Sequence, residues 1–311
     1  MLAVLGPTAS GKSALGLTLA ERCGGEIINC DSTAVYRGFD IGTDKVPLAA
    51  RRGIPHHLID VADPRDVYTA AQFAADAAAV IRDLHARGRM PILVGGTGFY
   101  YRALTRGLFP GPGADRDLRD RLNAVADRRG TERLHAWLRR VDPASADRIM
   151  PRDRVRIVRA LEVYLATGRP LTEHFAATTS PIADCEVIAI GLSLPAALTA
   201  ERVARRVEEQ FARGVVDEVR RLLESGLPRT ARPFGGLVYR QILEMLDGVR
   251  DEAATRALIA QENRRYARRQ LIWFRKEPNL MWFDGPGESA SAQERVGEAL
   301  AALGVHTGDV L

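Results

Sequence analysis

Long apolar runs are missing from this 311-residue sequence. Nothing approaches the roughly 18 consecutive apolar residues of a membrane-spanning helix, so no membrane partner is expected. The opening MLAVLGPTASGKS has no basic n-region and no small-residue cleavage site, which argues against a secretion signal and for the cytoplasm. Cysteine is scarce. Cys23, Cys30 and Cys185 match the spacing of neither a zinc site nor a disulfide framework, and incidental thiols in a reducing compartment are the expectation. Internal repeats and low-complexity blocks are absent as well. With 46% hydrophobic and 27% charged residues, the chain has the composition of a globular protein. Its length suits one large domain with an insertion, or two domains.

Acidic residues are lacking in two particular places. Arg148 to Arg159 holds five arginines against Asp153, and Gln261 to Lys276 holds six basic residues against Glu262. A solvated helix face mixes the signs, so both stretches suggest a phosphate-rich partner.

Four short apolar runs read as buried parallel strands: Leu2–Leu5, Glu26–Cys30, Met90–Val94 and Cys185–Leu194. Helical patterns separate them, over Lys12–Arg22, Tyr68–Arg87 and Thr199–Ser225, with further helices over Tyr239–Leu246 and Asp251–Arg275. Strands alternating with helices predict a three-layer α/β fold around a parallel sheet, of the P-loop NTPase type. After Leu108 the segment FPGPGAD breaks the pattern, and Asp115 to about Ala166 reads as helical and arginine-rich. The expected organisation is a catalytic core over 1–112 and 183–311, whose C-terminal part is helical, with a helical insertion over 113–182. The stripe Val155, Val158, Leu161, Leu165 is expected to pack in that insertion's core.

Gly6-Pro7-Thr8-Ala9-Ser10-Gly11-Lys12-Ser13 fits G-x-x-x-x-G-K-[ST], after a strand and opening a helix. Its glycines let backbone N–H groups turn toward phosphate oxygens, and the helix N-terminus adds positive potential. Lys12 supplies a point charge, and Ser13 offers a hydroxyl to Mg²⁺. A polyphosphate ligand follows, and an allylic diphosphate suits the loop as well as ATP does. The usual magnesium-binding aspartate is missing from the strand Pro91–Val94, which ends in Gly95-Gly96-Thr97-Gly98. The carboxylate instead closes the second strand, at Asp31. In a parallel sheet the carboxyl ends of strands face the ligand, so Asp31 is expected beside the phosphate loop. Capping of the next helix is the alternative role.

The chain resembles the tRNA dimethylallyltransferase (tRNA isopentenyltransferase) family. The resemblance rests on GPTASGKS, DSTAVYRGFDIGTDKVP, PHHLIDVADPRDVYTAAQF, PILVGGTGFYYRAL, RVRIVRALEVYLATGRPLTE and YARRQLIWFRK, in that order. It implies transfer of a dimethylallyl group from dimethylallyl diphosphate to N6 of the adenosine next to the anticodon, in tRNAs reading codons that begin with U. It implies Asp31 as the group that relieves the amine of its proton, Thr97 at the reacting centre and Lys12 on the diphosphate. It implies tRNA contacts at Ser32, Thr33, Ala34, Arg156, Arg159, Tyr239 and Arg240, a tRNA anticodon stem-loop as partner, and a chain able to act as a monomer. Arg206 and Arg220 lie where the family places a further basic residue for the diphosphate. Three positions depart from the pattern: Ala34 replaces Gln, Val155 replaces Gln and Val238 replaces Gly. His56 and His57, before a strand-like HLID, are read as structural or substrate-gating. The rival readings are an isopentenyltransferase using free AMP or ADP, against which the long basic C-terminal half counts, a P-loop kinase of small molecules, and a non-catalytic RNA-binding chain.

Overall fold

The computed structural model describes residues 1–109, 111–113 and 115–305; Pro110 and Ala114 of the FPGPGAD break, and the end of the tail, lie outside them. The chain forms two compact units, Met1–Leu104 with Ile182–Leu311, and Thr105–Pro181.

The first unit is built on a six-stranded parallel sheet with strands β1 (Leu2–Leu5), β2 (Gly25–Cys30), β3 (His56–His57), β4 (Met90–Gly95), β5 (Ile188–Ser193) and β6 (Leu280–Asp284). Their order across the sheet is β3-β2-β4-β1-β5-β6. Side chains alternate along a strand. Leu2 and Val4 of β1 therefore enter the core on one face, while Ala3 and Leu5 enter the other. The first face is covered by α1 (Lys12–Cys23) and the C-terminal helix, and the second by α2 (Ala70–Ala86), α3 (Gly98–Arg106) and the helices after β5. Burial on both sides explains why β1 and β4 read as apolar runs. α2 starts with a capping box, in which the Thr69 hydroxyl accepts from the Gln72 N–H and the Gln72 side chain accepts from the Thr69 N–H.

Several local expectations change. The strand-like HLID is not a strand along its length: the strand is His56–His57, which pairs with Ile27 and Ile28 of β2, and the chain turns at Leu58. β6 is an edge strand not legible as one, its residues only half-buried. The helix expected over Thr199–Ser225 is two, separated at Gly214, where φ is +86°.

In the second unit, helices α4 (Arg116–Arg129), α5 (Thr131–Val141), α6 (Pro143–Arg148), α7 (Arg154–Thr167) and α8 (Leu171–Ala176) follow one another. Asp115, Asp142 and Asp153 each accept from a backbone N–H of the first turn they precede. The stripe assigned to α7 holds at Val158 and Leu161 and fails at its two ends. Val155 is 80% exposed and Leu165 43% exposed, whereas Ile157, Val158, Ala160, Leu161 and Val163 are buried.

Glu162 is fully buried inside this unit. It accepts from Arg119 at 2.9 and 3.0 Å, from Arg159 at 2.7 Å and from the Asp115 N–H at 2.8 Å. Burial opposes its charge, but these donors outweigh it and hold the carboxyl below its ordinary range. A depressed carboxyl contributes stability above its unfolded pKa and loses it as pH falls through the folded one. Glu162→Ala strands three sets of donors and is expected to cost about 1–3 kcal/mol. Urea unfolding of the full chain, with hydrogen exchange in α4 and α7, measures this. An unchanged midpoint at pH 7, or an equal deficit at pH 3, rules the assignment out.

The chain returns to the first unit through β5. It continues with α9 (Ala196–Ala212), α10 (Val215–Glu224), α11 (Tyr239–Leu246), α12 (Glu252–Phe274) and α13 (Ala290–Ala302). Among the described residues no helix is long and apolar enough to cross a membrane.

Candidate active site

The phosphate loop connects β1 to α1. Gly11 sits at φ +85°, and a Cβ there would lie 2.6 Å from the Gly287 nitrogen, so glycine is required both for the turn and for the close approach. The Ser10 side chain is fully buried, and its hydroxyl has no partner among the described residues. An orphaned buried hydroxyl facing a cavity is expected where a ligand oxygen completes the set. Lys12 folds back, donating to the Pro7 carbonyl at 2.6 Å. Burial lowers its pKa to about 7, the Arg206 cation pushes the same way, and Asp31 partly offsets both.

Two arginines on α9, one helical turn apart, lie over this loop. Arg202 donates to the Ala9 carbonyl at 2.6 Å and pairs with Glu288 at 2.6 Å. Arg206 donates to the Thr8 hydroxyl at 2.8 Å and pairs with Asp44 at 3.1 Å. Arg220, the other candidate, pairs with Asp217 and takes no part in these contacts.

β4 lies between β1 and β2, yet Asp31 at the end of β2 shares a cavity of about 400 Å³ with Lys12, Ser13 and Arg206. Its two oxygens differ. Oδ1 accepts from the Thr33 N–H at 2.8 Å, the Thr33 hydroxyl at 2.6 Å and the Ala34 N–H at 3.3 Å. Oδ2 accepts nothing among the described residues. Thus turn capping and a free carboxylate oxygen coexist on one side chain. Asp31 also lines a second cavity of about 280 Å³, together with Ser32, Thr33, Tyr266 and Arg269. A third, of about 690 Å³, joins Ser32 and Thr33 to Thr97, Phe99 and Arg232. The Thr97 hydroxyl accepts from the Ser32 N–H at 3.0 Å and lies 3.5 Å from the Ser32 hydroxyl, which leaves its own proton weakly engaged.

Other sequence candidates fall elsewhere. Tyr239 is 1% exposed, donates to Glu218 at 2.7 Å and packs on Phe39. A tRNA contact through it is corrected, since it is a core residue. Glu218, buried as well, also accepts from the Asp40 and Ile41 N–H groups and so anchors the DIGTDK loop. Ala34 is buried but lines the first cavity. Arg240 is on the surface, paired with Glu262. Arg156 and Arg159 belong to the second unit. Arg156 is exposed and pairs with Asp153, and Arg159 is largely engaged with Glu162 and the Pro112 carbonyl. His57 pairs with Glu26, whose carboxyl pKa hydrogen bonds from Arg87 lower to about 2 against the opposing effect of burial, with His57 adding to the shift. His56 donates through Nδ1 to the Ile54 carbonyl at 2.9 Å and borders the first cavity. The three cysteines are free.

Arg202, Asp44, Tyr266 and Gln270 line the first cavity without having been singled out for it. For Tyr266 and Gln270 the available signal was their position within YARRQLIWFRK. On the same helix, Arg264, Arg265, Arg268 and Arg275 are exposed and make no ion pair among the described residues.

Ser13 is exposed at the helix end of the loop. A hydroxyl there, with diphosphate oxygens and water, is a donor set that suits magnesium, a hard cation. Among the described residues no cluster of three or more His, Cys, Asp or Glu side chains forms a metal cage.

The IPP transferase family model matches residues 34–277. A tRNA dimethylallyltransferase of Solibacter usitatus is 46% identical over 304 residues, covering 97% of this chain and 98% of that one. One from Geobacter metallireducens is 46% identical over 288 residues, covering 93% of each. Among solved structures, the tRNA isopentenylpyrophosphate transferase of Bacillus halodurans is similar with a TM-score of 0.71 at 35% identity, covering 97% of this chain and 95% of that one. A eukaryotic dimethylallyltransferase described as acting on tRNA gives a TM-score of 0.80 at 25% identity, covering 99% and 80%.

Proposed function

The chain belongs to the IPP transferase family, and on that premise we propose that it moves a dimethylallyl group from dimethylallyl diphosphate to N6 of the adenosine next to the anticodon, in tRNAs reading codons that begin with U. The observation that carries this reading is the position of Asp31. One carboxylate stands in the wall of the phosphate-loop cavity and of the cavity beside it, with Oδ2 free. A diphosphate on the loop and a base entering from the other side meet at that oxygen.

An exocyclic adenine amine is a weak nucleophile, because its lone pair is delocalised into the ring. The allylic carbon is a good electrophile once diphosphate can leave. Lys12, the loop N–H groups and Arg206 neutralise charge as the C–O bond breaks. Ser13 would hold a magnesium ion, which would supply further neutralisation of that charge. Asp31 Oδ2 accepts the amine's proton as the N–C bond forms. The Thr97 hydroxyl donates to the bridging oxygen or orients the amine.

An anticodon loop is single-stranded, so its base leaves the stack at low cost. The unpaired arginines of α12 suit the flanking phosphates, and Arg156 and Arg240 are proposed to serve the same partner. We propose likewise that it works as a monomer in the cytoplasm, where tRNA is used.

The test incubates the protein with Mg²⁺, dimethylallyl diphosphate and an anticodon stem-loop carrying A-A-A, with free AMP in parallel. A mass gain of one dimethylallyl group on the RNA is expected. Modification of AMP alone points to the free-nucleotide enzyme, and ATP consumption without prenyl transfer points to a kinase.

A further inference from the structure

The ladder between β1 and β4 ends with Leu5 opposite Gly95. Beyond it, each strand runs into a loop of the site: the phosphate loop after β1, and Gly96-Thr97 after β4. One side chain links the two loops there. Gln270, on α12 and 7% exposed, accepts from the Thr8 N–H through Oε1 at 2.8 Å and donates to the Gly96 carbonyl through Nε2 at 2.9 Å. A Cβ at position 96 would come within 2.4 Å of that Nε2, so the glycine makes the reach possible. Thr8 takes its second link from Arg206, through its hydroxyl.

We propose that Gln270 is a positioning residue for prenyl transfer, a crossbar that holds the phosphate loop and Thr97 at a set separation. The inference rests on the functional reading above. The two loops carry opposite halves of the reaction. Thr8 lies in the loop that grips the leaving diphosphate, and Gly96 precedes the threonine at the reacting centre. Only a side chain with one donor and one acceptor at its tip satisfies both loops, and an amide does so at every pH. An ionised carboxylate of the same shape accepts from Thr8 but faces the Gly96 carbonyl with no proton. A thioether leaves both groups unpaired. Gln270 lines the phosphate-loop cavity, so a carboxylate there also adds charge beside the diphosphate, whereas the uncharged thioether reads loop separation alone, where a 1 Å error costs about 10²-fold in rate.

The experiment compares the full-length wild type with Gln270→Glu and Gln270→Met in transfer to the stem-loop, from pH 5.5 to 8.5. At pH 7.5 both variants are expected to lose about 10²-fold in kcat, with KM for dimethylallyl diphosphate within about threefold. Burial at this position raises the introduced carboxyl's pKa above the usual value of about 4.3, so as pH falls it regains a proton and can again donate and accept. The Gln270→Glu deficit relative to wild type should then shrink, while that of Gln270→Met stays constant. Taking each variant as a ratio to wild type cancels the pH dependence common to all three. Variants matching wild type, a loss confined to KM, or a Gln270→Glu ratio flat with pH each overturn the proposal. A wild type that transfers nothing instead defeats the functional reading, and the positioning role with it.

Discussion

Asp31→Asn is expected to lower kcat by about 10²- to 10⁴-fold, the range of a lost general base, while leaving the melting temperature in place. The two oxygens of Asp31 make this separation possible. Oδ1 holds the turn through three donors from Thr33 and Ala34. An asparagine oriented by the same donors keeps its carbonyl oxygen there, so the turn survives. What replaces Oδ2 is an NH₂ group, which cannot accept the adenine amine's proton and meets it donor against donor. Asp31→Ala removes both functions and should also loosen the segment carrying Ser32 and Thr33. Single-turnover transfer with calorimetric melting of both variants reads the two effects apart. If Asp31→Asn transfers within about threefold of wild type, Asp31 is a structural cap and the base lies elsewhere.

Lys12→Ala is expected to cost about 10²- to 10³-fold in kcat, as for loss of one preorganised donor to a developing anion. It should also remove a pH dependence. Burial and Arg206 bring the Lys12 pKa from 10.5 to about 7 in the ligand-free protein. Between those values the unfolded chain holds a proton that the folded protein has released, so this lysine's contribution to stability rises with pH through that window. A bound diphosphate favours the ammonium and reverses the shift. Binding above pH 7 must then take up close to one proton, and affinity should weaken by up to about tenfold per pH unit until the bound-state pKa is reached. Calorimetry at pH 8, in buffers of unlike ionisation heat, measures that proton directly. Equal proton uptake by wild type and Lys12→Ala would show that the lysine is already charged in the free protein.

Residues close together in sequence were the legible part of this site. The phosphate loop, Asp31 and Gly95-Gly96-Thr97 each sit at a strand end, where the parallel sheet presents them by geometry alone. Arg202 and Gln270 were not legible as site residues, because their bonds to Ala9 and Thr8 span 193 and 262 positions. Tyr239 misled for the opposite reason. Its neighbourhood resembles an RNA-contacting segment, but the long-range bond to Glu218 and the ring packing on Phe39 draw it into the core. In α7 the apolar period placed Val158 and Leu161 in the core but not Val155 and Leu165, since a helix's repeat does not say how far along its face a partner extends.

By itself the sequence determined the alternation of strand and helix, the phosphate loop and the placing of one carboxylate at a strand end, because local spacing and turn chemistry dictate these. Tertiary structure decided which arginines of α9 face the loop, which oxygen of Asp31 stays free and which side chain of α12 joins the two catalytic loops. Those depend on how α9 and α12 pack over the sheet, and packing between distant segments is set by the core as a whole rather than by any one stretch of chain.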